Sequence, residues 1–236
     1  MKNNRGTHVG VILSFLIFVT FLAFLYSITE PATRVSKDKL DLLEYLKTEL
    51  LNEFKEDLST LTIDLNESGC VIFEEFDAEL RGQGVVAKDD TGNLLGAHHQ
   101  IDGKTEISGS EEGILKLYYS EEFSNGTDLG CTKTITSPVD YEIKIFRTTQ
   151  EIFNSTIIRI SENINENITY YKELKEKLGA AFDDEFGFTF SDGEGDVIVS
   201  ANEKNVSVDI YAEEIPIQYL DNEANINPGF LSVRVW

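Results

Sequence analysis

The sequence predicts an α+β protein on an apolar stem. An N-terminal transmembrane helix continues, with a kink, into an amphipathic helix packed on antiparallel β-sheet, and a second α+β lobe forms the C-terminus. Three observations predict this. Twenty consecutive residues, Val9–Ile28, carry no charge. A run of leucines spaced by three and four follows. From Thr60 the texture changes to short alternating runs separated by turn-forming clusters.

As a helix, the uncharged stretch is about 30 Å long, the thickness of a bilayer's hydrocarbon core. A cleavable secretory signal has a shorter apolar stretch and a small-x-small exit. The best candidate here, "AFLYSITEPA", matches that poorly, so the helix 9–28 is expected to be retained. Lys2, Arg5 and the terminal amine make residues 1–8 a short basic head that favours the cytoplasmic side. The bulk of the chain then lies outside. Val11, Phe15, Phe18, Leu22 and Leu25 step by four and three and trace one helix face, with Phe21 and Phe24 beside it. That face can pack on copies of itself or simply meet lipid.

Pro31 is expected to end or kink the first helix near Glu30. In 35–58, Leu43, Leu46, Leu50 and Phe54 recur at three and four, widened by Leu42 and Leu51, with acids and lysines filling most of the rest. That is an amphipathic helix with Ser36 as a fair N-cap. Its stripe packs on the domain's own sheet or against copies in a filament core.

Residues 59–148 hold LTIDL, CVIFEEF, GVVAK, GILKLYY and YEIKIF between clusters such as "DDTGN" and "SNGTDLG", a β-rich lobe. In 149–236 a helical period comes first. From Gln150 to Leu178, Ile157, Ile160, Ile164, Ile168, Tyr171, Leu174 and Leu178 step by three or four, Gly179 stands at C′, and the poor helix propensity of "NINENIT" allows a break there. The end alternates again in FGFTF, VIVSA, VSVDIYA and FLSVRVW, with "NPG" read as the turn before the last strand.

The formal charge is −22. Beyond Arg34 the chain has 17 Lys/Arg against 41 Asp/Glu. A surface this acidic repels phosphate backbones and anionic lipid, which excludes nucleic acid as a partner. Cys70 and Cys131 are the only cysteines, and behind a membrane segment they are expected to form a disulfide. Five Asn-x-Ser/Thr sequons, at Asn66, Asn125, Asn154, Asn167 and Asn205, lie on the side placed outside, where glycan transfer is possible.

"SDGEGD" sets Asp192, Glu194 and Asp196 at alternate positions. Hard cations favour several oxygens on a tight loop, which makes these three a weak metal candidate, but the spacing between apolar runs reads better as a hairpin tip. Asp89, Asp90 and Asn93 read the same way. His98 and His99 are neighbours on an expected strand, so they face opposite ways and do not share an ion. The nucleophile-elbow, zinc-protease, P-loop and dinucleotide motifs are absent. Neither a cofactor nor catalysis is expected.

Arg5-Gly6 ahead of the apolar helix resembles the short class III leader of archaeal type IV pilin-like surface proteins. The order of basic head, apolar helix, amphipathic helix and acidic β-rich domain is similar to theirs. So are the segments "YKELKEKLG…DEFGFTF" and "EIPIQYL…GFLSVRVW". The resemblance implies cleavage by a prepilin peptidase-like enzyme between Gly6 and Thr7, with the helix kept for assembly. The chain departs from many pilins at the fifth mature position, where Val11 replaces a glutamate. The expected function is a membrane-anchored extracellular subunit whose partners are the bilayer and copies of itself or of related subunits. The alternative is a permanently anchored single-pass ectodomain that binds a ligand, cation or protein without polymerising.

Overall fold

The computed structural model describes residues 5–74, 76–179, 185–203 and 210–236, with side chains for all of these except 5–9 and 28–37. It is an α+β fold with an apolar N-terminal helix and antiparallel sheets. Helix α1 runs Arg5–Glu53, so Pro31 does not end it. The helix stops short of the expected Leu58: strand β1, Lys55–Leu65, begins directly after Phe54. Leu58 continues the three–four spacing, but pairing with a twelve-residue neighbour strand overrides that local periodicity.

The strands β2 (Gly69–Phe73), β3 (Gly84–Lys88), β4 (Leu94–His99), β5 (Thr105–Ser110), β6 (Gly113–Ser120), β7 (Lys133–Ile135) and β8 (Tyr141–Ile152) join β1 in one sheet. Its order is β7-β2-β5-β4-β3-β6-β1-β8, with only β2 and β7 parallel. Alternation along β1 and β6 turns Leu61, Ile63, Leu115, Leu117 and Tyr119 to one face. There they meet Val71, Phe73 and Ile107 in a buried cluster.

Helices α2 (Asn154–Glu166) and α3 (Ile168–Lys177) divide the expected helical stretch. Gln150 lies in β8, not in a helix. The break falls at Asn167, inside the "NINENIT" stretch, and its side chain caps α3 by accepting from the N–H groups of Thr169 and Tyr170. The new axis leaves Ile168, counted in the apolar stripe, 67% exposed.

A second sheet holds β9 (Phe186–Asp192), β10 (Val197–Ala201), β11 (Tyr211–Leu220) and β12 (Ile226–Val235) in the order β10-β9-β12-β11. "NPG" is not a turn: Asn227, Pro228 and Gly229 lie inside β12. Pairing of β12 with β9 begins only at Gly229, so the N–H that Pro228 lacks leaves no gap on that side. The turn before the last strand is Asp221–Asn225 instead. Of the expected strand VSVDIYA, Val206–Asp209 lie outside the described residues.

Leu43, Leu46, Leu50 and Phe54 of α1 share one core with Ile157 and Ile160 of α2, Leu174 of α3, and Phe188, Phe190, Leu231 and Val233 of the second sheet. A third, smaller cluster of Leu58, Val86, Phe123, Phe153, Leu220 and Ala224 joins the two sheets.

Candidate functional site

Among the described residues the longest run of exposed apolar side chains lies on α1 between Gly10 and Ser27. Gly10–Ser27 has the length and composition of a membrane span and buries none of its side chains in the fold. Val11, Phe15, Phe18, Leu22 and Leu25 are between 40% and 68% exposed. A contiguous apolar surface of this size marks contact with lipid or with protein. Gly6 and Thr7 fall within α1, and their side chains are not among those described.

Further along, the same helix is bound into the head. Lys47 Nζ reaches Glu213 Oε1 of β11 at 2.8 Å, and Lys177 of α3 reaches Glu53 at 2.6 Å. Lys39 donates to the Trp236 carbonyl at the end of β12 (3.1 Å). Helix α1 thus has two environments along its length.

Cys70 and Cys131 are disulfide-bonded, their Cα atoms 5.2 Å apart. The bond ties β2 to the segment entering β7, with which it pairs in parallel. Of the sequons, Asn66, Asn125 and Asn167 are exposed. Asn154 stands at the start of α2 with its Oδ1 buried, and Thr156 Oγ1 of the same sequon is buried too. Asn205 lies outside the described residues.

The acidic loops share one geometry. In Asp89–Asn93, Asp192–Asp196 and Asp221–Asn225 the first N–H donates to the fifth carbonyl, and the fourth N–H donates to the first carbonyl. The leading aspartate accepts from the third and fifth N–H groups through Oδ1, at 2.8–3.0 Å. The fourth residue has positive φ: Gly92, Gly195 and Ala224. Asp192 is therefore a turn anchor, as the hairpin reading of "SDGEGD" requires. Glu194 and Asp196 supply N–H donors to it. Among the described residues no group of three His, Cys, Asp or Glu is placed to hold a metal ion.

At Asp89 the hydrogen bonds from the side chains of Thr91 and Asn93 stabilise the ionised form most and hold the carboxyl down at about 2. A carboxylate with a depressed folded pKa stabilises the fold above its unfolded value, and that contribution is lost as pH falls through the folded value. Asp89→Asn is therefore expected to remove this contribution at neutral pH and to flatten the acid limb of the stability curve between about pH 4 and pH 2. Urea midpoints across this range measure it.

His99 is a buried structural residue. Its Nε2 faces the Leu80 carbonyl at 3.0 Å and so donates, leaving Nδ1 to accept from Thr105 Oγ1 at 2.9 Å. Thr105 in turn contacts the Tyr119 hydroxyl at 3.0 Å. His98 Nδ1 lies 2.9 Å from the Asn125 carbonyl.

One residue that sequence reading passed over joins the two sheets. Lys88, 7% exposed at the end of β3, donates to the Ala224 carbonyl (3.0 Å) and to Asn225 Oδ1 (2.8 Å) on the Asp221 turn. Burial pushes its ammonium below the usual lysine range, against the pull of Asp221 and Glu223. "GVVAKDD" reads as a strand end, and nothing local signals that this lysine reaches a turn 136 residues away. Lys88→Met keeps the aliphatic stem and removes both donors. It is expected to cost about 1–3 kcal/mol, because the buried Ala224 carbonyl loses its partner. A lower urea midpoint with an unchanged slope checks this.

No protein-family model, no curated protein and no solved structure matches the chain.

Proposed function

We propose that the protein is a membrane-anchored extracellular structural subunit of the type IV pilin-like kind, which assembles through its N-terminal apolar helix. The observation that carries this reading is the change of environment along α1. No residue of Gly10–Ser27 is buried, whereas Leu43, Leu46, Leu50 and Phe54 are at most 2% exposed. In this reading the helix is a stem that ends inside a folded head. Pro31 bends it between the two, and the part beyond is an amphipathic helix seated on the second sheet. The exposed sequons Asn66, Asn125 and Asn167 carry glycans on the outer side.

Processing belongs to the same reading: a prepilin peptidase-like enzyme cuts after Gly6 and the chain keeps its helix. Intact mass with N-terminal sequencing of protein from its native membrane tests it. The subunit reading expects a chain that begins at Thr7. A chain that begins at Met1 favours the permanently anchored ectodomain, and one that begins after Ser27 removes the stem and the proposal with it.

A further inference from the structure

In a chain with 42 acids and 20 bases, a cation without a partner is unusual. Among the described side chains, three bases make no hydrogen bond or ion pair: the half-buried Lys116, and the exposed Arg147 and Lys172. Two of these three, Lys116 and Arg147, line one groove.

That groove is a concavity of about 300 Å³ on the face of the eight-stranded sheet opposite its core. Register places Lys116 beside Thr62, and Thr60 between Tyr118 and Arg147. Directly paired residues share a face. Lys116 on β6 and Arg147 on β8 therefore flank Thr60 and Thr62 of β1 across about 10 Å of sheet, two strand spacings. The half-buried Tyr118 ring and Thr149 complete the floor. Leu220 and Ile226 beside the Asp221 turn form an apolar wall. The groove's one carboxylate, Glu151, lies four residues along β8 from Arg147, about 13 Å away. The nearby Lys88 is already engaged by Asn225.

We propose that this groove binds a small anionic ligand: one oxyanion group on a hydroxylated body the size of a sugar ring. Lys116 and Arg147 take the anion, replacing the counter-carboxylate that the protein withholds. Thr60, Thr62, Thr149 and the Tyr118 hydroxyl meet the ligand's hydroxyls, and the Tyr118 ring and Ile226 meet its apolar face. The volume is at the lower end of small-molecule pockets, which suits a single ring and not a strand or helix. Charge alone would draw such a ligand to few other places on a surface with this net charge.

The test uses the full chain in detergent at low salt, titrated calorimetrically with glucuronate, with inorganic sulfate, and with glucose as the uncharged control. The expected result is saturable binding of glucuronate, competition by sulfate and no binding of glucose. The double variant Lys116→Gln/Arg147→Gln is expected to bind glucuronate about tenfold more weakly or worse, while its ligand-free melting temperature stays near that of the wild type. Lys172→Gln should bind as the wild type does. Absence of saturable binding by either anion overturns the proposal, as does equal affinity in the double variant. Self-association that rises with protein concentration and is suppressed by sulfate assigns the anion to a carboxylate of a second copy, and also overturns it.

Discussion

Replacing Phe54 by alanine is expected to destabilise the head by about 3–5 kcal/mol, the cost of emptying a large aromatic site in a packed core. Phe54 is 0% exposed and packs edge-to-face on Phe188 of β9 with ring centroids 5.3 Å apart. It also stands where α1 becomes β1. Its N–H closes the last helical bond to Leu50, and its carbonyl accepts from Phe153 just before α2. The truncation therefore removes apolar area at the point that couples the stem helix to both sheets. The urea midpoint should fall with the slope preserved. Leu40→Ala, on the same helix at a position 50% exposed, should move it by no more than about 0.5 kcal/mol. An equally mild Phe54 variant would mean that α1 is not seated on the second sheet as described.

Removal of the disulfide in the double variant Cys70→Ser/Cys131→Ser is expected to cost about 4 kcal/mol. The bond closes a loop with a sequence separation of 61, and the loss of that constraint widens the unfolded ensemble. The effect on the native state is local. β7 is a three-residue edge strand held by a parallel pairing of Val71–Phe73 with Lys133–Ile135 and by the Lys133–Glu67 ion pair. Without the cross-link this edge should exchange its amide hydrogens first, while Phe188 and Val233 in the second sheet keep theirs. Thermal melting with and without reductant separates the cases. Reductant should lower the wild-type midpoint and leave the double variant unchanged. A wild type indifferent to reductant contradicts the prediction.

The elements that could be read from the sequence are those set by local periodicity. The stripe Leu43, Leu46, Leu50 and Phe54 is legible because one helix face is buried along its length. The turns led by Asp89 and Asp192 are legible because their chemistry closes within five residues; the Asp221 turn has the same chemistry but is passed over for "NPG". What could not be read depends on distant partners. Leu58 fits the helical spacing, and only pairing with β8 makes it a strand residue. Pro228-Gly229 has turn composition, but pairing with β11 holds it extended, and Gly229 is needed because a Cβ there would come within 2.8 Å of the Ser191 carbonyl. The sheet that receives α1 is built from the far end of the chain, which adjacency in sequence does not suggest. Lys88, Lys116 and Arg147 were illegible for the same reason. A lysine reads as a solvated charge until the fold shows whether it has an acidic partner, and in this chain acids are everywhere.

If the protein is the subunit proposed, its stem packs against copies of itself, and disulfide scanning of the stem in its native membrane reads that packing. Single cysteines would replace Val11, Ile12, Leu13 and each residue from Phe15 to Leu25 in turn, with mild oxidation and non-reducing electrophoresis. Cys70 and Cys131 are already paired and do not compete. Dimers are expected whose yield rises and falls with a period of three to four residues and peaks on the face of Val11, Phe15, Phe18, Leu22 and Leu25. Monomer at every position would contradict it and leave the stem as a lipid anchor.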